Sequence, residues 1–436
     1  MRTHVVLAAS LGLLLTGQDS CSTTDADGDG WAAEAGDCND DDPEVHPGAT
    51  ETWADCLDSD CDGLDFLSGD GRDGILEVGE GETMILEVSS THLAADAAAG
   101  EDEITPEDLS FISRGDVLLI RVSSGTAEGV GQYELAKVLA LNDTTVTLSA
   151  PLQGSYSASD SVDIMRLPQF QSVTLAAGAT LSPPDWNGDS GGLLAFLVED
   201  TLVLEDGSVI SGSARGYRGG ERSYEATEIG QQGESMAGLG IGTTAANMTG
   251  GGGGSAPSYA HADGGGGGHA SAGETGGAYN GYSTTPGEGG EAVDSETLDY
   301  LRFGGAGGAG GLDVDPGSGA YGGGGGAGGG AILILASNLV LDGTIEVDGG
   351  KGEDGQISGS ASPGGGGGGA GGAIRLEVAS VLSAEGGLSA LGGEGGMGSE
   401  AGSSITYGGK GGEGVILFSG DDTPGSAPEL NILCEE

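Results

Sequence analysis

The chain has 436 residues, and its 68 acidic residues outnumber its 13 Lys and Arg residues, so the formal net charge is −55. A field of this sign repels phosphate backbones and anionic lipid surfaces and attracts cations, which excludes a nucleic-acid-binding function. The length allows two or more modules with a substantial core.

The N-terminus has the pattern of an export signal. Arg2 precedes an apolar run, Val5 to Leu15, which is shorter than the roughly 20 residues that span a bilayer. No later stretch is long enough, so we expect no membrane span, a signal peptide over residues 1–20 and a secreted or cell-surface protein. A lipobox-like Leu-Thr-Gly ends the run with glutamine in place of the lipidated cysteine, which leaves Cys21 as the anchor of a possible outer-membrane lipoprotein.

Residues 21–70 form an acidic segment, with 15 acidic side chains and no Lys or Arg between positions 25 and 65. Two windows, 25–30 and 58–63, share the spacing D-x-D-x-D-G. This is the start of an EF-hand-type loop, in which alternate carboxylates converge and the glycine permits a sharp turn. The spacing predicts Ca²⁺ binding. The predicted ligands are Asp25, Asp27, Asp29, the Trp31 carbonyl, Asp37, Asn39, Asp41, Asp58, Asp60 and Asp62.

Other interpretations of this segment stay open. Gly36 stands where an EF-hand has its closing glutamate, so Asp37 is the candidate closing ligand, and a solvated acidic linker is the alternative to a metal site. Magnesium tolerates irregular oxygen cages poorly, and copper or zinc would favour His or thiolate ligands. We expect Cys38 to pair with Cys56 or Cys61, because a bridge would staple a segment too polar to form a core.

The order of these motifs resembles a known family. The D-x-D-G-D-G window is followed by GDCNDDD at 36–42, PGATE at 47–51 and DCDG at 60–63. This order is similar to the MopE-type metal-binding motif of secreted bacterial proteins. The resemblance implies an exported or surface protein of a Gram-negative bacterium. The family name implies copper for one member, whereas the carboxylates in this sequence resemble a calcium site more.

Residues 71–190 contain alternating apolar runs, which predict a β-rich capping module with a small barrel-like unit near 104–166. Lys137–Leu141 and Thr144–Leu148 flank an Asn-Asp turn and predict a hairpin. Thr105, followed by proline, predicts a short helix. We expect the module to cover the end of the next region.

Residues 191–420 contain a glycine-rich repeat, clearest from Ala327 to Gly350 and from Ala370 to Gly393, with Ile332 aligned to Ile374. Apolar residues alternate within each copy, and one copy cannot cover its own apolar face, so copies should stack. We predict an all-β fold, a right-handed parallel β-helix, with 421–436 as a tail. An antiparallel sandwich of hairpins is the alternative, since Asp-Gly also favours hairpin turns.

The glycine runs at 250–254, 264–268, 322–326 and 364–369 have no G-X-Y period, which excludes collagen. Two interpretations remain. The runs are flexible loops, or they pack closely as polyglycine-type layers because no Cβ separates neighbouring backbones.

The region from 75 to 420 also resembles glycine-rich, adhesin-like bacterial surface proteins, on loose motifs such as Gly115-Asp116, Tyr133-Glu134, Pro151-Leu152, Gly191-Gly192 and Gly216 to Gly220. The leading hypothesis is therefore an exported, calcium-binding structural or adhesion protein that is not an enzyme. Its partners would be calcium ions and an extracellular polysaccharide or another cell-surface protein.

Two alternatives concern carbohydrate. A polysaccharide lyase or hydrolase would need converging carboxylates with a basic or aromatic partner. A carbohydrate-binding protein without catalysis would need exposed aromatic side chains on one face. The candidates for catalysis are Arg215, Tyr217, Arg218, Glu221 and Arg222, or His261, Asp263 and His269. The aromatic candidates are Tyr279, Tyr282, Tyr321 and Tyr407.

Overall fold

The computed structural model describes residues 25–33, 37, 39–46, 49, 59, 69–125, 129–223, 229–255, 261–278, 284–293, 300–312, 320–356, 358, 363–399 and 405–422. Within these ranges the backbone forms 20 strands and no α-helix. The chain divides into two compact units, residues 1–66 and 67–436, and all the strands lie in the second.

The strands follow one another along the chain as β1 (Ile75–Val78), β2 (Thr83–Ile85), β3 (Ser90–His92), β4 (Glu103–Ile104), β5 (Val117–Ser124), β6 (Tyr133–Leu141), β7 (Val146–Leu148), β8 (Ser161–Leu167), β9 (Gln169–Phe170), β10 (Ser172–Leu175), β11 (Thr180–Ser182), β12 (Leu193–Leu204), β13 (Val209–Ser211), β14 (Ala331–Leu341), β15 (Thr344–Glu346), β16 (Ala373–Ala384), β17 (Gly387–Ser389), β18 (Met397–Ser399), β19 (Ile405–Tyr407) and β20 (Val415–Asp422).

Two parallel sheets build the predicted β-helix. One runs β1-β10-β12-β14-β16-β20 and the other β2-β11-β13-β15-β17. Each strand of the first sheet except the last, β20, is followed by a short strand of the second, so the two form successive coils. The predicted register is confirmed, since Ile332 pairs with Ile374 and Leu202 with Leu339. Parallel pairing rules out the sandwich of hairpins.

The core of the β-helix comes from the inward side chains of alternate strand positions. Phe196, Ile334 and Leu376 are fully buried in adjacent coils. Burying a side chain of this size stabilises the fold by about 1.5–3 kcal/mol. The stacked copies therefore cover the apolar face that one copy alone would expose.

The first coils lie inside the segment 71–190 that the sequence analysis assigned to the capping module. β1 pairs with β10, and β2 pairs with β11, in the parallel register of the later coils. These strands have three or four residues, and a long insertion separates the first coil from the second. None of these four strands is long enough for the repeat to be recognised in the sequence. The antiparallel strands β3 to β8 are thus an insertion between two coils.

The inserted strands form one antiparallel sheet in the order β3-β8-β5-β6-β7-β4. An antiparallel bridge between Leu93 and Pro106 joins the ends of β3 and β4, which closes the sheet on its own apolar core. The predicted hairpin of β6 and β7 is present. The Asn142 side chain accepts hydrogen bonds from the backbone N–H groups of Thr144 and Thr145 in its turn.

The predicted helix at Thr105 is absent from the described residues 101–125. The Thr105 carbonyl instead accepts a hydrogen bond from Ala94, and the Asp108 carboxylate accepts one from the Ser110 backbone N–H. The prediction was wrong because the neighbouring extended segment at Ala94 bonds the Thr105 carbonyl, a backbone group that a first helical turn would use.

The glycine runs are ordered, and they form what we call the glycine bundle. Its segments are 216–220, 229–234, 249–254, 262–268, 273–277, 285–291, 304–311, 322–330, 347–355, 363–372, 390–396 and 408–414. Backbone N–H groups three residues apart in one segment donate to the same neighbouring segment. For example, Gly264 donates to the Gly365 carbonyl and Gly267 donates to the Gly368 carbonyl. This is the three-residue period of a polyproline-II-type helix, which has no internal hydrogen bonds.

Segment 304–311 shows how closely the bundle packs. It donates backbone hydrogen bonds to segments 322–330, 262–268 and 229–234. It accepts backbone hydrogen bonds from segments 363–372, 249–254 and 216–220. A Cβ added to Gly308 would lie 2.1 Å from the Gly252 carbonyl oxygen, and one on Gly367 would lie 1.9 Å from that of Gly265. Glycine is therefore required by close backbone approach. The structure therefore agrees with the polyglycine-type layers and not with flexible loops.

Substitution of a central glycine should destabilise the protein strongly. We expect Gly367→Ala to lower the free energy of unfolding by about 3 kcal/mol or more, because two backbones must separate to admit the methyl group. The matched control is Gly387→Ala in β17, where an added Cβ meets nothing within 4 Å. Chemical denaturation of both variants measures the difference. Equal stability of the two would contradict the packing described.

Candidate functional site

The first acidic window folds as a loop around its own carboxylates. The Asp25 carboxylate accepts hydrogen bonds from the backbone N–H groups of Gly28, at 2.6 Å, and Gly30, at 2.9 Å. Both glycines have positive φ values, +89° and +104°, which lets the chain turn this tightly. Asp40, outside the predicted ligand set, accepts a hydrogen bond from Ala26 and so also holds the loop.

Three aspartates in this unit share one arrangement. In Asp27, Asp29 and Asp37, the Oδ1 atom accepts a hydrogen bond from the backbone N–H two residues later. The Oδ2 atom of each is buried and has no hydrogen-bond partner among the described residues. One carboxylate oxygen each from Asp25, Asp27 and Asp29 lies within 4.8 Å of the other two. The loop thus gathers acceptors that no donor among the described residues satisfies.

The electrostatics of the loop favour a cation. Desolvation raises the pKa of Asp27, and the negative charges of Asp29, Asp37 and Asp25 raise it further. Carboxylates brought together in this way repel one another, and a bound cation removes the repulsion and satisfies the orphaned oxygens. An all-oxygen donor set suits a hard cation such as Ca²⁺ better than copper, which favours imidazole and sulfur ligands.

The other predicted ligands lie outside the converging group or outside the described residues. Asn39 takes part in a turn, since its N–H donates to Asp37 and its carbonyl accepts from Asp41. Neither Asp37 nor Asp41 is part of the converging group formed by Asp25, Asp27 and Asp29, and the Trp31 backbone N–H donates to Asp29. Asp58, Asp60 and Asp62 lie outside the described residues, as do all five cysteines and the predicted signal peptide. The ligand set as a whole stays a prediction.

Three residues of the arginine group proposed for catalysis, Arg215, Tyr217 and Arg218, make contacts that stabilise the fold. Arg215 pairs with Asp185, and Arg218 pairs with the buried Glu234 at 2.9 Å. Tyr217 is buried and packs edge to face on Trp186 and Phe303. The structure therefore does not bring the group together as one site.

Arg222 is different, because it lines a surface cleft. It pairs with Glu353, and its guanidinium lies 4.9 Å from the centre of the Tyr321 ring. Glu353 was not foreseen from the sequence, because it is 131 residues from Arg222 along the chain.

The second group proposed for catalysis is buried in the glycine bundle. His261, Asp263 and His269 are fully buried. His261 Nε2 lies 3.0 Å from the Thr406 hydroxyl, and Asp263 Oδ1 accepts a hydrogen bond from the Gly365 N–H at 2.7 Å. His269 Nδ1 contacts the Gly371 carbonyl instead. These side chains hold neighbouring segments together and do not line a surface. Tyr279 and Tyr282 lie outside the described residues, whereas Tyr407 is exposed.

Comparison with known families finds a metal-binding motif in the acidic unit, and the match begins at Asp37, after the group formed by Asp25, Asp27 and Asp29. Residues 37–65 match the MopE family model, described as "Putative metal-binding motif". The predicted resemblance is thus confirmed for this segment, and the match shows that the protein has a metal-binding motif. No curated protein matches the chain. Within the described residues, the chain has no helix long and apolar enough to cross a membrane.

Among solved structures, the chain is similar to bacteriophage tailspikes. One is the Gp54 tailspike of Acinetobacter baumannii bacteriophage AP22 in complex with A. baumannii capsular saccharide, with 14% identity, 32% of this chain and 33% of that chain covered, and a TM-score of 0.19. Another is the tailspike gp49 of Pseudomonas phage LKA1, with 16% identity, coverage of 32% and 28%, and a TM-score of 0.18. The matches span about a third or less of each tailspike.

This comparison corrects one prediction. The expectation that the protein is not an enzyme is contradicted, because the solved structures to which the chain is similar are tailspikes, one of them in complex with a saccharide. The expectation is withdrawn. Identities and TM-scores this low concern the fold and assign no reaction or substrate to this chain.

The buried Asp263 makes stability depend on pH. Burial raises the pKa of Asp263 to about 7 from its ordinary 3.8, although hydrogen bonds from Thr406 and Gly365 oppose the change. Since the folded protein keeps a proton that the unfolded chain releases, the contribution of Asp263 is greatest below about pH 4 and is lost as the pH rises through about 7. We expect Asp263→Asn to raise the Tm relative to wild type near pH 8 and to lose most of that advantage near pH 5.

Thermal unfolding at the two pH values measures this effect. Glu413→Gln, at an exposed position of the bundle, serves as the control and should give the same Tm difference at both. An Asp263→Asn effect that does not change with pH would show that the carboxyl is ionised in both states.

Proposed function

We propose that the protein is exported and binds Ca²⁺ through its acidic N-terminal unit. The observation that carries this proposal is the set of three buried Oδ2 atoms, of Asp27, Asp29 and Asp37, that lack a partner among the described residues. The family match at residues 37–65 supports a metal-binding role for the same unit. The all-carboxylate donors support calcium as the metal.

Binding and folding of this unit should be coupled. Asp25, Asp27, Asp29 and Asp37 would hold the ion. The Oδ1 atoms of the last three and both carboxylate oxygens of Asp25 keep the backbone of the loop in place. Without a cation, the carboxylates destabilise the loop by mutual repulsion. A bound cation stabilises the folded form according to its concentration and affinity.

The second unit suits an extracellular scaffold that presents a surface to an extracellular polysaccharide or another cell-surface protein. A parallel β-helix and a glycine bundle whose backbone groups bond one another give a platform with few side chains able to rearrange. The export pattern at residues 1–20 supports a secreted or cell-surface location. Adhesion through this platform is the role we infer for it.

Calorimetric titration of the metal-free full chain with Ca²⁺ tests the proposal. We expect wild type to bind and Asp27→Ala to bind at least about tenfold more weakly, because a charged ligand is lost. Asp60→Ala tests the second window in the same way. The matched control is Asp143→Ala, an exposed aspartate in the β6–β7 turn, which should bind as wild type does. Absence of calcium binding, or preference for Cu²⁺ in competition, would overturn the calcium assignment.

A further inference from the structure

A cleft on the flank of the glycine bundle has features of a ligand site. Its volume is about 380 Å³, and it is lined by Gly220, Glu221, Arg222, Gly324, Gly325 and Glu353. The residues come from three parts of the chain that are distant in sequence: 220–222, 324–325 and 353. The cleft belongs to the second unit, so an inference about it rests on the polysaccharide contact proposed for that unit and not on the calcium site.

Two polar side chains of the cleft, Arg222 and Glu353, hold each other in place. The Arg222 guanidinium donates through Nε and Nη2 to the two carboxylate oxygens of Glu353, and Glu353 Oε2 also accepts from the Gly324 N–H at 3.0 Å. The guanidinium also lies over the Tyr321 ring. The hydrogen bond from Arg222 lowers the pKa of Glu353, so both groups keep their charges at neutral pH. A paired fork of this kind offers fixed donors and acceptors.

The floor of the cleft is bare peptide. A Cβ on Gly325 would lie 1.8 Å from the Gly307 carbonyl oxygen, and one on Gly220 would lie 2.3 Å from that of Gln231. The only space a side chain could take is therefore filled by neighbouring backbone. This leaves exposed backbone without side chains beside the Arg222–Glu353 pair.

These features select a class of ligand. Glu221 and Glu353, within a chain of net charge −55, disfavour an anion. Arg222 compensates Glu353 and disfavours a simple cation. A neutral sugar ring has a flat C–H face that can pack on the peptide floor and hydroxyl pairs that can both donate to Glu353 and accept from Arg222.

We propose that the cleft between Arg222, Glu353 and the glycine floor binds one or two units of a neutral polysaccharide. The ion pair orients the hydroxyl groups, and the ring packs on the backbone that carries no side chains. The cleft joins Glu221 and Arg222, two of the catalytic candidates, to Glu353.

Isothermal titration of the full chain with neutral cello-, malto- and xylo-oligosaccharides, and with anionic oligogalacturonate, tests this site. We expect at least one neutral oligosaccharide to bind. We expect Arg222→Lys and Glu353→Gln each to weaken that binding by about tenfold or more, because each breaks the bidentate pair without creating a cavity.

The control is Lys351→Ala, which removes a positive charge two residues from Glu353 but outside the cleft, and it should bind as wild type does. Thermal unfolding verifies that all three variants are folded. Binding of oligogalacturonate alone, binding of no neutral oligosaccharide, or equal binding by wild type and both cleft variants would overturn the proposal.

Discussion

The structure depends on one constraint, the approach of backbone to backbone at distances that leave no room for a Cβ atom. In the glycine bundle each segment satisfies its N–H and C=O groups with several neighbours at once, as Gly308 does through Gly265 and Gly367. Buried backbone groups must be paired, and segments without internal hydrogen bonds can pair them only with one another. The cost in conformational entropy is high for glycine, so the order of the bundle must come from these shared bonds.

The β-helix and the bundle form parts of the same coils. Leaving β15, the chain passes through segment 347–355 and returns through 363–372 to β16, so each of the last coils contributes both strand and bundle. Apolar burial holds the strands in register, and hydrogen bonds hold the glycine segments. Two kinds of stabilisation thus act on one repeat, which explains why apolar runs and glycine runs alternate with the same spacing.

Positive charge is scarce in this chain, and the structure uses it at junctions. Arg72, next to the first coil, and Arg166, in β8 of the inserted barrel, both bind the buried carboxylate of Asp116. Arg121 is fully buried, donates to the Leu301 carbonyl and lies over the Phe303 ring. These contacts tie the barrel to the β-helix and to the bundle. In a chain of net charge −55, each such pair also relieves repulsion between carboxylates.

The sequence by itself determined what depends on neighbours along the chain: the parallel register of Ile332 with Ile374, the β6–β7 hairpin and the carboxylate spacing of the loop at Asp25, because strand period and turn residues are local signals. Only the tertiary structure decided the order of the glycine runs, the start of the β-helix and the Arg222–Glu353 pair. A glycine run is compatible with a loop or a packed segment until partners arrive, and contacts across 131 residues leave no local pattern.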